Sequence, residues 1–344
     1  MARYEAIFDA LGLRAWCDAD KADAPLSMAQ LLAQTQGGDA EVVAPGLPFP
    51  SLDVLHEACA KIGQTRDLTE GLENGFLSIR AELKFVLDPI TQPLSWMLDG
   101  TLFVFESAPW WVMMPVLLLI TWAVSRSRAV TGFVAFVLLF FAFIDHYEVA
   151  MQTLAIVFVC TGISVLLGVP IGIGMSKSDT AQRSIVPLLD LLQTLPTFVY
   201  LIPLIFLFSV TESKLYGIAI ILYAIVPVIR LTDLGIRLVD KDVIEAADAF
   251  GLTAAQKLSR VELPLALPNI MAGVNQTIMM SLAMVVIASL VSAPGLGVLV
   301  LRGIRSLDLG VGIVAGLGIV LLAVVLDRVS KAALARVDTQ RKAK

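Results

Sequence analysis

Residues that commonly bind metals or carry out catalysis are few in this chain and widely separated. The three cysteines, Cys17, Cys59 and Cys160, show no C-x-x-C spacing, and two histidines, His56 and His146, are too few for a His-rich site. A structural zinc site needs four thiolate or imidazole ligands in close groups. The sequence therefore predicts no metal centre. It leaves open whether Cys17 and Cys59 form a disulfide or remain free thiols.

Nucleotide hydrolysis is also not expected of this chain. P-loop ATPases hold phosphates with the pattern G-x-x-x-x-G-K-[ST]. The nearest match, GIGMSKS at residues 172–178, has the wrong spacing and ends an apolar stretch. We therefore predict that the chain catalyses no covalent reaction and holds no cofactor of its own.

One polar, charged stretch interrupts the hydrophobic part of the chain: DKDVIEAADAFGLTAAQKLSRVELP, at residues 240–264. Aspartates at its start can cap a first short helix, Gly251 can form a turn, and Thr253 can cap a second short helix. Pro264 is expected to end that second helix, because proline lacks the amide N–H that would continue it. The stretch is thus predicted to be a helix-turn-helix at the membrane surface, shaped to meet a partner.

The composition places the chain in a membrane. Of its 344 residues, 57% are hydrophobic and 16% are charged, which is too apolar for a soluble domain. A helix needs about 20 apolar residues to cross a bilayer. We predict seven spans, at residues 108–124, 129–144, 149–175, 185–210, 215–229, 266–291 and 311–326.

The front of the chain has a different character. Residues 1–108 hold 7 basic and 16 acidic side chains, whereas the remainder holds 18 basic and 14 acidic ones. Residues 69–86 place apolar side chains at spacings of three and four, which indicates an amphipathic helix. We predict an acidic extension at 1–107, in which the helices at 69–86 and 94–105 lie together along the bilayer or, alternatively, pack on themselves as a small soluble domain. A membrane domain at 108–330 and a basic tail at 331–344 follow.

Positive charge predicts the orientation of the spans. If residues 240–264 are cytoplasmic, the cytoplasmic loops and tail collect fifteen Lys and Arg residues, and the opposite short loops collect three. Cytoplasmic loops of membrane proteins are enriched in these residues. The N-terminal extension is therefore expected outside the cell and the C-terminus inside.

The polar stretch also carries a specific resemblance. Residues 245–247 (EAA), Gly251 and, after nine more residues, 261–264 (VELP) resemble the EAA loop of ABC importer permeases, with Val261 where isoleucine is usual. From about residue 154 to 328 the chain is similar to permeases for glycine betaine, proline betaine and choline. The matching stretches are residues 187–203, 270–289 and 295–310.

This resemblance implies an all-α integral membrane protein with the type I importer permease fold. It implies a homodimer surrounded by lipid, a separate cytoplasmic ATPase that binds ATP and Mg²⁺, and a soluble periplasmic binding protein, with no nucleic acid. The expected location is the bacterial inner membrane. The expected cargo is glycine betaine, proline betaine, choline, carnitine or trimethylamine N-oxide.

The resemblance also nominates site residues. Contact with the ATPase is expected of Glu245, Ala246, Ala247, Phe250, Gly251, Leu263 and Pro264. Polar and aromatic side chains of two spans are candidates for the translocation path: Asp190, Gln193, Phe198, Tyr200, Asn275, Gln276 and Thr277. A carboxylate in a membrane is costly unless paired, and aromatic faces suit the diffuse charge of a quaternary ammonium. A structural ion pair, helix-to-helix hydrogen bonds and ordinary packing are the respective alternatives.

Three other functions remain open at this point. An amino-acid or methionine importer would share the architecture and differ in cargo. An ion-coupled secondary transporter would need no ATPase, but it predicts inverted repeats and paired ionisable residues at the midplane, which the sequence does not show. The acidic extension could in addition act as a sensor or as a docking domain for the binding protein.

Overall fold

The computed structural model describes residues 8–13, 17, 59 and 65–342, and every regular element within them is helical. This confirms the all-α fold class. The chain divides into two compact units, residues 1–81 and 82–344. Most of the predicted extension before residue 65 lies outside the described residues, and the predicted boundaries after residues 107 and 330 stay predictions.

The helices follow one another with short connections. They are α1 (Thr65–Ser107), α2 (Trp110–Ser125), α3 (Arg128–Phe143), α4 (Tyr147–Lys177), α5 (Asp179–Thr194), α6 (Leu201–Leu207), α7 (Ser213–Arg237), α8 (Lys241–Ala249), α9 (Ala254–Lys257), α10 (Leu263–Ala288), α11 (Leu296–Ser306) and α12 (Leu309–Lys342). Short 3₁₀ turns occur at Thr197–Tyr200 and Ser289–Val291, and a π-helical turn occurs at Leu258–Glu262.

Four helical runs are long and apolar enough to cross a membrane: Tyr147–Lys177, Ser213–Arg237, Ala254–Val291 and Leu309–Arg336. Two more candidates are bent pairs, Thr69–Ser107 with Trp110–Ser125 and Asp179–Thr194 with Thr197–Leu207, which bend by 116° and 105°. By length and composition the described residues thus supply four to six spans. The shorter apolar helix α3 accounts for the remaining predicted one.

The span predicted at residues 185–210 is a bent pair of helices and not a single straight helix. The helix α5 ends at Thr194, and Leu195 adopts an extended conformation (φ −65°, ψ 133°) before Pro196. A residue that precedes proline is pushed out of the helical region, and the proline itself cannot donate a helical hydrogen bond. The chain therefore turns sharply before α6. Backbone of this irregular kind inside a membrane is found where it is buried in protein or lines a cavity.

Helices α4, α7 and α10 pack closely in the centre of the second unit. A Cβ atom built on Gly172 of α4 would lie 2.6 Å from the Cβ atom of Thr232 in α7. A Cβ atom on Gly273 of α10 would lie 3.0 Å from the Cα atom of Val228 in α7. Only glycine allows helix backbones to approach this closely. The three helices consequently form a single packed body.

A buried ammonium group joins the second half of α1 to the start of α7. Lys214 is 3% exposed, and its Nζ atom lies 2.8 Å from Oδ1 of Asp88 and 2.7 Å from Oε2 of Glu212. The same Nζ atom lies 5.2 Å from the centroid of the Phe208 ring. Partial burial raises the pKa of the Glu212 carboxyl, but the Lys214 charge and the Ser209 amide outweigh it and hold this pKa below its ordinary value. The buried cation is thus held by two partly exposed carboxylates, which offset the cost of its desolvation.

The cysteines left open by the sequence are assigned by the structure. Within the first unit Cys17 and Cys59 are both buried and form a disulfide across 42 positions of sequence. Cys160, in α4, is a buried free thiol. Disulfides persist mainly in oxidising compartments, such as the bacterial periplasm.

Candidate coupling segment and membrane path

Residues 240–264, called the coupling segment below, connect α7 to α10. Asp240 caps α8, and its side chain accepts a hydrogen bond of 2.9 Å from the amide two residues further on. Gly251 has φ +70°, in the left-handed region that residues with a side chain rarely adopt. Thr253 and Gln256 form a reciprocal capping box at the start of α9. The predicted caps and the predicted glycine turn are confirmed.

The end of the coupling segment differs from the prediction. The helix was expected to end before Pro264, but it continues through the π-helical turn Leu258–Glu262 directly into α10. The N–H of Leu263 donates to the carbonyl oxygen of Leu258, five residues earlier. Proline in a regular helix clashes with the carbonyl four residues earlier, and the wider π turn changes that spacing. The segment is therefore continuous with the membrane helix α10.

The predicted contact residues do not all face solvent. Glu245 and Ala246 are exposed on α8, and Phe250, its C-terminal cap, is 85% exposed. Ala247 is buried, and Leu263 packs against a small apolar cluster of Ile236, Ala266 and Ile270. The surface that remains for a partner consists of an exposed aromatic ring and a carboxylate close to it in sequence.

The two short helices of the coupling segment are tied to each other. Nζ of Lys257, in α9, lies 2.7 and 2.9 Å from the two carboxylate oxygens of Asp248, in α8. The turn at Gly251 lies between them in sequence, and a Cβ atom there would meet no atom within 4 Å. The shape of the turn thus depends on its backbone conformation and on the ion pair that spans it.

Glu262 and Lys177 form an ion pair that the sequence did not predict. Glu262 ends the π turn with a side chain only 6% exposed, and it forms an ion pair with Lys177, the last residue of α4. Glu262 was part of the recognised pattern. Its partner lies 85 positions earlier, and no local sequence signal connects the two.

The path candidates of α5 and the following turn lie in different environments. Asp190 is paired with Arg230 of α7, and its side chain is 55% exposed. Gln193 and Phe198 are exposed, the latter by 57%. Tyr200 is buried, and its hydroxyl donates to the carbonyl oxygen of Leu195 at 3.5 Å. The candidates are therefore brought to the bend, but only some are accessible.

The path candidates of α10 also differ in how accessible they are. The side-chain amide of Asn275 donates to Oδ1 of Asp327 at 3.0 Å and accepts from the hydroxyl of Ser330 at 2.7 Å, both in α12. Gln276 is exposed. Thr277 is fully buried, and its hydroxyl has no hydrogen-bond partner among the described residues. Asn275 is thus engaged in helix-to-helix contact, which leaves Gln276 as the accessible member.

The arrangement is suited to binding and movement. Within the part of the chain that the structure describes, no three His, Cys, Asp or Glu side chains are grouped so that they could hold a metal ion. Its distinctive features are an exposed surface helix, a broken membrane helix and ion pairs between helix ends. Contacts of this kind recur where proteins change conformation by moving packed helices.

Comparison with known proteins gives consistent matches. Residues 164–339 match the family described as binding-protein-dependent transport system inner membrane component. The chain is 39% identical over 307 residues to the glycine betaine/proline betaine transport system permease protein ProW of Escherichia coli, covering 87% of this chain and 84% of that protein. It is 42% identical over 229 residues to the glycine betaine transport system permease protein OpuAB of Bacillus subtilis, covering 66% and 76%.

A solved structure gives the fold independently. An inward-facing form of the MetNI methionine ABC transporter superposes on 54% of this chain and on 93% of its own matched chain, with a TM-score of 0.50. The identity in this comparison is 20%, so it shows the fold and nothing about cargo.

Proposed function

Because the chain belongs to the family of binding-protein-dependent transport system inner membrane components, we propose that it is the permease of an ATP-driven importer for betaine-like solutes. The cargo would be glycine betaine, proline betaine, choline, carnitine or trimethylamine N-oxide. The observation that carries the proposal is the 39% identity over 307 residues to a permease named for glycine betaine and proline betaine. Further relatives are named for carnitine and for trimethylamine N-oxide.

The proposed partners are a cytoplasmic ATPase, a soluble binding protein and a second copy of this chain. The ATPase would bind ATP and Mg²⁺, and its docking surface on this chain would be the exposed side of α8 with Glu245 and Phe250. Aromatic side chains that become buried at an interface are frequent centres of binding energy, and Phe250 is 85% exposed before docking. One coupling segment per chain supports a homodimer, because two ATPases need two docking segments.

The inner membrane holds this multi-pass permease, and we propose that its coupling segment faces the cytoplasm. The excess of Lys and Arg on that side supports this orientation. The disulfide between Cys17 and Cys59 supports placing the N-terminal unit in the oxidising periplasm. In the later part of α1, Phe85, Trp96 and Phe103 are exposed, and such apolar side chains are suited to contact with lipid.

Transport would follow from movement of the coupling segment. ATP binding closes the ATPase pair, and the docked α8 moves with it. Residues 238–240 connect α7 to α8, and α9 continues through the π turn into α10 without a break. Both membrane helices would therefore tilt when the segment moves. The path would open beside the bend between α5 and α6, where Phe198 presents an aromatic face suited to a quaternary ammonium.

The proposal is tested by ATP hydrolysis in the assembled complex. The chain is reconstituted in proteoliposomes with its companion ATPase and binding protein, and hydrolysis is measured against glycine betaine, choline, trimethylamine N-oxide and methionine. Stimulation by one of the methylated compounds and none by methionine is the expected result. Stimulation by methionine alone would replace the proposed cargo with an amino acid, and an intact complex that responds to no methylated compound would refute the cargo.

A further inference from the structure

The two ends of the coupling segment are attached to the same corner of the chain. The segment begins after Arg237, whose Nη1 donates to Oδ1 of Asp179 at 2.7 Å and whose Nη2 donates to the carbonyl oxygen of Met175 at 2.8 Å. It ends at the π turn, where Glu262 is paired with Lys177. Lys177 is the last residue of α4 and Asp179 is the first of α5. Residues 177–179, called the α4–α5 corner, therefore receive both ends.

Each attachment to the corner uses a cation that also holds a buried carboxylate or is held by one. The side chain of Glu262, the partner of Lys177, is 6% exposed. Asp233, which accepts from Nε of Arg237 at 2.9 Å within α7, is 8% exposed, whereas Asp179 is 74% exposed. A buried carboxylate is strongly destabilised when its cationic partner is lost. Lys177 and Arg237 are the cations that these two carboxylates contact in the described residues. The attachments are therefore expected to persist while the helices move.

The α4–α5 corner leads to the broken span. Three polar side-chain contacts join α5 to α7 in an antiparallel register: Asp179 with Arg237, Gln182 with Asp233 at 2.7 Å, and Asp190 with Arg230. Beyond Asp190, α5 ends at the bend that carries Phe198. Any displacement of the corner is thus applied to the helix that supports the exposed path candidates.

We propose that the α4–α5 corner transmits movement of the coupling segment to α5 and the bend, with Arg237, just before the segment, and Glu262, near its end, as positioning residues. This rests on the proposed function, because it assumes that an ATPase moves α8. Movement of α8 reaches α7 through residues 238–240 and reaches α10 through the Gly251 turn, α9 and the π turn. It reaches α4 through the close packing of Gly172 against α7. The helix α5 follows through the corner and through its polar contacts with α7.

The test separates transport from hydrolysis. Glu262→Gln and Lys177→Gln are compared with wild type in the reconstituted complex, and the number of glycine betaine molecules imported per ATP hydrolysed is measured. We expect each single variant to lower this ratio about fivefold, within the range that residues of a coupling network produce. The exchange of charges in Lys177→Glu/Glu262→Lys should restore it to within about twofold of wild type, because the pair is re-formed. Lys331→Gln, which removes the ion pair between a 64% exposed lysine and Asp327 within α12, is the matched control and should leave the ratio unchanged.

A second variant guards against misfolding. Asp179 is 74% exposed, so Asp179→Asn removes the negative charge that pairs with Arg237 without opening a buried site, and it should lower the same ratio. A wild-type ratio in the assembled Glu262→Gln and Asp179→Asn complexes would overturn the inference, as would an exchange variant no better than the single ones. The proposed function fails separately, when the wild-type complex itself imports none of the methylated compounds.

Discussion

Replacement of Gly251 tests the coupling segment at its most constrained point. The residue adopts φ +70°, where a side chain costs about 1–2 kcal/mol, and a branched side chain such as valine is least tolerated there. A Cβ atom at this position would meet nothing within 4 Å, so the cost arises from the backbone alone. Gly251→Val should therefore lower the fraction of segments in the docking conformation about 5- to 30-fold.

The matched control for this variant is Gly251→Asn. Asparagine adds a side chain of similar size, but it tolerates the left-handed conformation. Both variants should insert in the membrane normally, which fluorescence-detected size exclusion checks. ATPase stimulation by loaded binding protein should be lost in the valine variant and largely kept in the asparagine variant. Equal coupled transport in both variants and wild type would refute the claim that the shape of this turn positions the docking helix.

Three further predictions concern other parts of the molecule. Asp190→Asn leaves Arg230 without its counter-charge and loosens α5, so uptake of glycine betaine should fall about three- to tenfold; unchanged uptake would contradict a role beside the path. Phe250→Ala removes an 85% exposed ring, so the ATPase should bind at least about tenfold more weakly in a pull-down titration; unchanged binding would contradict its docking role. Lys214→Met should lower the free energy of unfolding by about 2 kcal/mol at neutral pH, measured by thermal unfolding in detergent, because carboxylates lose their cation. The pKa of Glu212 is lowered in the folded state. Its ion pair with Lys214 therefore contributes fully to the free energy of unfolding above pH 4.5, the ordinary pKa, and this contribution is lost as the pH falls through the lowered pKa. The difference between wild type and this variant should therefore narrow in that acidic range, and a difference independent of pH would contradict the ion pair.

The local chemistry of the coupling segment could be predicted because it depends on residues close in sequence. The left-handed glycine at 251 and the cap at Thr253 follow from intrinsic backbone and side-chain preferences. The continuation past Pro264 did not follow, because a π turn is rare and depends on how α10 packs. The break at Pro196 was missed for a related reason: an apolar run of membrane length outweighed this proline, one of three within the run.

Long-range pairs could not be predicted from one sequence. The span containing Asp190 suggested a costly carboxylate, but it did not identify Arg230, forty positions later, as its partner. In the sequence, Lys177 follows one apolar run and Glu262 precedes another. Their contact depends on how α4 and α10 pack against α7, which no periodicity or spacing encodes. The α4–α5 corner is therefore a feature of the tertiary structure alone.

The central claim is that this chain forms the path of a betaine importer powered by a separate ATPase. The most direct test is uptake of radiolabelled glycine betaine into proteoliposomes that hold ATP and Mg²⁺ inside, with binding protein on the opposite side. We expect uptake that requires ATP, the ATPase and the binding protein together, and that is abolished when ATP is replaced by a non-hydrolysable analogue. Uptake that persists without the ATPase and follows an imposed ion gradient would contradict it.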